Sequence, residues 1–208
     1  MYQKAKQAFE IYMSNFDKKN SLILLKYTHT YQVVELMAEL AFRLGLDKEK
    51  IELAKVIGLL HDIGRFEQIR KFNILSDNRT GFDHADESCV YLFNEGHIRD
   101  FIEDYQYDSI LEKSIRNHNK FEIEMDLTEE ELLFSKMIRD MDKIDIYRVL
   151  AVNFEQVFRA SEVSEEVLRE FQKEKTICNR LVKSDSDKTL VRLAFIFDMN
   201  FNESFDIL

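Results

Sequence analysis

The chain has 208 residues, enough for one domain, or a domain with an appended helix, that buries a sizeable core. Its 45% hydrophobic and 33% charged content is that of a soluble globular protein. A net charge of −10 excludes non-specific grip on DNA, RNA or an anionic membrane surface. No apolar run approaches the length of a membrane span, and no signal-peptide pattern opens the chain. The two cysteines, Cys89 and Cys178, show neither pairing nor metal-type spacing, which fits a reducing compartment. The expectation is cytoplasmic. Proline is absent and glycine occurs five times, so little in the chain would break a helix. Strand-like alternation is also missing, and the fold class expected is all-α.

Apolar residues recur in steps of three and four along most of the chain, the helical period. A short helix is predicted over about Gln3 to Phe16. A second runs from about Ser21 to Leu44, with Gly45 placed as a left-handed cap. Asp47 then takes the N-cap position of a helix from about Lys48 to Ile63. Residues Gly64 to Asp83 lose clear periodicity and include Asp77, Asn78 and Gly81, so a loop with some helical turns is expected there. Helices follow over about His84 to Asn94, ending at Gly96, and over Ser109 to Asn117. Thr128 and Glu131 form a capping-box signature for a long helix reaching about Leu150. Helices over about Ser164 to Lys175 and Lys188 to Asn200 complete the chain. No repeat, low-complexity tract or linker is visible, so residues 1–208 read as a single domain. Its metal-binding core would cover about 21–150, followed by C-terminal helices over 151–208.

Polar residues that fall on apolar faces carry the functional signal. His29 shares a helical stripe with Leu22, Leu25, Val33, Leu36 and Leu40. His61 continues the line of Ala54 and Ile57, and Asp62 the line of Ile51, Lys55 and Leu59. Leu111, Ile115 and His118 make another stripe that ends in a histidine. Ser135, Ile138, Asp142, Asp145 and Val149 line up on the long helix and put two carboxylates on an apolar face. A lone histidine on such a face is more often a hydrogen-bonded core residue. The set is harder to explain that way. Burying carboxylates on at least two helices costs several kcal/mol each unless something positive accompanies them. A divalent cation supplies that charge and takes neutral imidazoles as ligands. His97, after Gly96 in a turn, reads as a surface residue.

With these residues in view, the sequence resembles the HD-domain superfamily of metal-dependent phosphohydrolases. The matching stretches are Lys26-Tyr-Thr-His-Thr-Tyr, Gly58-Leu-Leu-His-Asp-Ile-Gly-Arg, Asp83-His-Ala-Asp-Glu-Ser, Ile115-Arg-Asn-His-Asn and Arg139-Asp-Met-Asp-Lys-Ile-Asp. The resemblance covers roughly Tyr27 to Val149 and implies a helical bundle with a metal site at its centre. It implies that His29, His61, Asp62 and Asp142 hold a first ion. Asp142 is preferred to Asp140 and Asp145 because it precedes Lys143 and Ile144, a basic then a hydrophobic residue, as in the family's late motif. His84 and His118 match the additional histidines of binuclear members, in which the Asp of the His-Asp pair bridges both ions. Arg65 falls where many members carry a basic residue that contacts substrate phosphate. Arg65 and Phe66 stand where the (p)ppGpp hydrolases carry an acidic pair. The Gly-Tyr-Pro motif of the cyclic-di-GMP branch cannot occur without proline, and dNTP triphosphohydrolases are usually much longer.

The function this implies is hydrolysis of a phosphate ester, of a nucleotide or a similar small molecule, through a metal-activated hydroxide. Two divalent ions (Mn, Fe, Co, Ni or Mg) about 3.5–4 Å apart would activate the water, making Asp62 and Arg65 the catalytic residues. Arg65 would also bind the substrate phosphate, with Arg70, Lys71 and Lys120 as further candidates. The partner expected is a small phosphate ester; no nucleic-acid polymer and no membrane is expected. A few HD-domain proteins carry a similar ligand set as a mixed-valence di-iron centre that activates dioxygen, so an oxygenase is the alternative. A non-catalytic binding module is the third reading. Beyond Ala151, Phe154, Val157, Phe158, Phe171, Phe195 and Phe197 suit a core, a lid over the pocket or a homodimer interface, and the sequence leaves these open.

Overall fold

With no proline and few glycines to interrupt it, the chain folds into helices, as its composition requires. The computed structural model describes residues 1–152 and 161–208, and no strand occurs among them. The Cα packing separates two units, Met1–Met141 and Asp142–Leu208.

The first unit contains α1 (Tyr2–Met13), α2 (Ser21–Arg43), α3 (Lys48–Leu60), α4 (Ile63–Phe72), α5 (Asp77–Thr80), α6 (His84–Cys89), α7 (Ile98–Phe101) and α8 (Asp108–Asn117). A π-helical turn, Val90–Asn94, extends α6. The unit ends inside α9 (Glu129–Val152). The starts and stops follow local chemistry. Asn20 accepts hydrogen bonds from the amides of Leu22 and Ile23, and Asp47 from that of Lys50 at 2.9 Å. Gly45, at φ 71°, ends α2 as expected, with the Leu46 amide reaching back to the Ala41 carbonyl at 3.0 Å. The Thr128–Glu131 capping box forms in both directions.

The dominant packing is α2 against α3, and Gly58 permits it. A Cβ there would lie 3.1 Å from the Val34 Cα, so a larger residue would force the two backbones apart. Helix α1 buries Ala5, Phe9 and Met13 on one stripe against α3, and the Phe9 ring meets Phe66 edge-on at 5.9 Å. Helix α4 packs on α6, which packs in turn on α8.

Three expectations need correction. The first half of the loop expected from Gly64 to Asp83 is helix α4. Ile63, Phe66 and Ile69 are buried at intervals of three, but Arg65, Glu67, Arg70 and Lys71 crowd the positions between them and mask the period. The helix expected to reach Ile63 stops at Leu60, because Asp62 adopts φ −109°, ψ 17° and separates α3 from α4. Leu25 is exposed, and Ile23 takes the inward position instead.

The second unit takes in the end of α9, α10 (Glu165–Phe171), α11 (Asp185–Leu193) and α12 (Asn202–Ile207), with a 3₁₀ stretch Ala194–Asp198 after α11. Val167, Ile177, Val191 and Ala194 form its core. Asp187 ties the loops together, accepting from the Ser164 amide and hydroxyl and from the amides of Lys183 and Ser184. On α9, Lys143 pairs with Asp198, and the Tyr147 hydroxyl donates to the Leu193 carbonyl at 2.9 Å. Phe171 and Phe195 pack on this core, and the Phe197 ring meets Phe171 at 5.5 Å. Phe154, Val157 and Phe158 lie outside the described residues.

Candidate metal centre

The ends of three elements and the middle of a fourth bring five side chains together. His29 sits in the body of α2, His61 and Asp62 at the junction of α3 and α4, His84 at the first position of α6 and His118 just past α8. All five are buried. The non-helical backbone at Asp62 turns two adjacent side chains toward the same space, which a continuous helix would point about 100° apart. Gly64 closes the other side. A Cβ there would stand 2.5 Å from the His84 carbonyl oxygen and 2.9 Å from the Ser88 amide nitrogen, so only glycine lets α4 approach α6 this closely. In that gap the Ser88 hydroxyl accepts from the Gly64 amide and donates to the His84 carbonyl.

The two Asp62 oxygens face different imidazoles. Oδ2 lies 3.4 Å from His29 Nε2 and 3.5 Å from His61 Nε2. Oδ1 lies 3.3 Å from His84 Nε2 and 3.6 Å from His118 Nε2. The two latter nitrogens are only 2.9 Å apart. Their other ring nitrogens fix the tautomers, because each faces a group that can only accept a hydrogen bond. His118 Nδ1 donates to the Ile115 carbonyl at 2.6 Å, and His84 Nδ1 to the Asp77 carboxylate at 2.6 Å. In the neutral rings both Nε2 atoms then present lone pairs, two acceptors at hydrogen-bond distance from each other. His61 Nδ1 likewise donates to the Gly58 carbonyl at 2.8 Å.

Charge follows the same geometry. Burial pushes the Asp62 carboxyl up, but Lys26 together with His61, His118 and His29 outweighs it and holds the group well below the usual carboxylate range. Burial, reinforced by the Arg65 charge, pushes His84 down to about 4, so the ring is neutral at neutral pH. Lys26, only 14% exposed, forms an ion pair with Asp62 Oδ2. It lies three residues before His29 on the same helix face; a charge on an inward stripe was the available signal. Arg65, 15% exposed, has its Nε 3.7 Å from Asp62 Oδ1 and donates through Nη1 to Asp77 and Gln68.

Among the other sequence candidates, the basic residues Arg70, Lys71 and Lys120 are engaged elsewhere. Arg70 pairs with Glu67 and lies over the Phe16 ring, and Lys71 lies over the Phe82 ring. Lys120 bridges Asp83 and Asp86 at 2.7 and 2.9 Å, joining the segment after α8 to α6. Asp142 lies on α9 as the first residue of the second unit, and Asp145 accepts from Arg148 within that unit. His97 is partly exposed, stacked on Tyr91 and bonded to Asp100. Asp77 and Arg139 had no sequence signal. The buried Arg139 guanidinium donates to the carbonyls of Asn117 and Lys120 and so braces the backbone on either side of His118.

A family model for the HD domain matches residues 27–190. The chain belongs to the HD domain family. Comparison with curated proteins and with solved structures gives no match. HD domains are all-helical, bind divalent metals and form a superfamily of metal-dependent phosphohydrolases.

The donors of this HD domain fit such an ion. Ligands about 2.1 Å from one metal stand roughly 3.0–3.4 Å apart at right-angled or tetrahedral corners. The edges joining Asp62 Oδ1, His84 Nε2 and His118 Nε2, at 2.9, 3.3 and 3.6 Å, bracket that range. Asp62 Oδ1 is buried and takes no hydrogen bond. His29, His61 and Asp62 each offer a ligand atom within 4.8 Å of the others, and Asp62 also belongs to the group with His84 and His118. Nitrogen and carboxylate oxygen donors without thiolate suit first-row divalent ions from Mn to Zn without selecting among them.

Proposed function

We propose that this HD domain hydrolyses a phosphate ester of a nucleotide or a similar small molecule with the help of two divalent ions. The observation that carries the proposal is the buried Asp62 carboxylate, with one oxygen facing His29 and His61 and the other facing His84 and His118. A carboxylate so shared is the natural bridge between two cations. We assign His29, His61, Asp62 and, from the position of the family's late motif, Asp142 to one ion, and Asp62, His84 and His118 to the other.

Bound there, the cations supply Lewis-acid charge, which acidifies water and offsets charge on phosphate. The protein's own groups do the rest. The three Nδ1 donors hold their rings so that every Nε2 lone pair faces the centre. Asp62 stays ionised at any working pH because Lys26 and the imidazoles outweigh its burial. Arg65 donates to a non-bridging phosphate oxygen from beside Asp62, and Lys26 adds a second positive charge next to the same carboxylate. These two side chains reverse, locally, the repulsion that a net charge of −10 would exert on an anionic substrate.

The test is phosphate release from a panel of nucleotides, cyclic dinucleotides and sugar phosphates, with Mn, Fe, Co, Ni and Mg supplied separately. One substrate class turned over by wild type and not by D62A is the expected result. No release from any class, with oxygen consumed by the iron-loaded protein, would replace the hydrolase reading with an oxygenase.

A further inference from the structure

The imidazoles of the cluster are not held alike. His61 and His118 each donate Nδ1–H to a carbonyl three residues earlier, Gly58 and Ile115, so their own helices orient them. His84 is the first residue of α6, and no preceding helical turn offers it a carbonyl. Its acceptor comes instead from the short helix α5, as Asp77 Oδ2 at 2.6 Å. Asn119 Nδ2 also lies 3.3 Å from His84 Nδ1, but two N–H groups cannot satisfy each other, which leaves the carboxylate as the anchor. The second oxygen of Asp77 accepts from Arg65 Nη1 at 2.5 Å and from the buried Gln68 Nε2 at 2.9 Å.

We propose that Asp77 is the positioning residue for the His84 side of the centre. Its carboxylate aims His84 Nε2 at Asp62 and fixes the Arg65 guanidinium beside the same site. Occupancy by the second ion and the placement of the phosphate-binding group therefore depend on one side chain. The inference rests on the reading of this cluster as a two-ion centre. An anionic acceptor also makes the ring a stronger donor to metal than a neutral carbonyl does. Loss of such outer partners typically weakens metal binding about 10–100-fold.

The test uses the full chain, stripped by chelator and titrated with Mn²⁺. Metal content is read by elemental analysis, and the magnetically coupled ion pair by electron paramagnetic resonance. Wild type is expected to hold two ions and show the coupled signal. D77A should keep one ion, bind the second about 10–100-fold more weakly and lose the coupled signal. D77E, which retains both oxygens, should recover the second ion. D77S repeats the comparison should D77A fail to fold. Two ions bound with unchanged affinity in D77A, or the loss of both, would overturn the assignment of Asp77 alone. Fewer than two ions in wild type would overturn the two-ion reading, and this inference with it.

Discussion

Asp62→Ala tests the bridge directly, because the one side chain contributes an oxygen to both ligand groups. In wild type at Mn²⁺ about 100 times Kd, each ion stabilises the fold by about 2.7 kcal/mol, so two contribute about 5.4 kcal/mol. At about 2–4 °C per kcal/mol for a chain of this size, the metal should raise Tm by roughly 10–20 °C. Removing the shared anionic ligand should weaken each ion at least as much as losing an outer partner, about 100-fold at the upper end. At the same Mn²⁺ concentration each ion would then contribute only about 0.4 kcal/mol. The metal-induced rise in D62A should shrink to roughly 2–3 °C. The metal-free variant should itself be less stable than wild type, since Lys26 loses its buried counter-charge. Removing one partner of a fully buried pair costs about 3–5 kcal/mol, and the partial exposure of Lys26 puts this case below that range. Calorimetry or dye-monitored melting with and without Mn²⁺ reads the difference within each protein, so the metal-free offset cancels. An equal metal-induced rise in both proteins would show that Asp62 bridges nothing.

His84 makes the metal-free protein sensitive to mild acid. With its pKa near 4 when folded and about 6.5 when unfolded, the stability it contributes is complete above pH 6.5 and lost as pH falls toward 4. That loss should total on the order of 3 kcal/mol. Melts between pH 7 and 4 should show it and should flatten in H84Q, whereas a parallel decline in the variant would refute the attribution. Gly64→Ala places a methyl against the His84 carbonyl and the Ser88 amide, and should cost about 1–3 kcal/mol in denaturant unfolding. It should also reduce Mn²⁺ content from two ions toward one, and full occupancy would show that α6 shifts without harm to its ligand. His97→Ala should leave metal content unchanged by elemental analysis and cost no more than about 1.5 kcal/mol for the lost Tyr91 stack.

The buried histidines of the cluster were legible because burial and helical period coincide. His29, His61 and His118 each continue an apolar stripe, and all three are buried. Arg65 could be read from its place after the His-Asp pair. Asp77 could not, since it lies in a stretch without period, and only the folded chain brings it to His84. Lys26 is a charge on an inward face, yet lysine is so often a solvated residue that only the folded chain reveals its pairing with Asp62. Helix α4 was obscured by four charged side chains set among its three buried apolar ones, Ile63, Phe66 and Ile69, a pattern that lowers local hydropathy without disturbing the backbone. The Asp62 kink had no local marker, because neither proline nor glycine causes it.

The backbone carbonyls of Gly58 and Ile115 each grip the histidine one turn ahead on the same strand of chain. Ring orientation at those two positions is thus inherited from helix geometry rather than negotiated with distant neighbours. Sequence drift elsewhere in the bundle could slide these segments past one another and still deliver both nitrogens facing forward. His84 lacks that inheritance, and its orientation depends on a carboxylate brought to it by a separate element, Asp77 on α5.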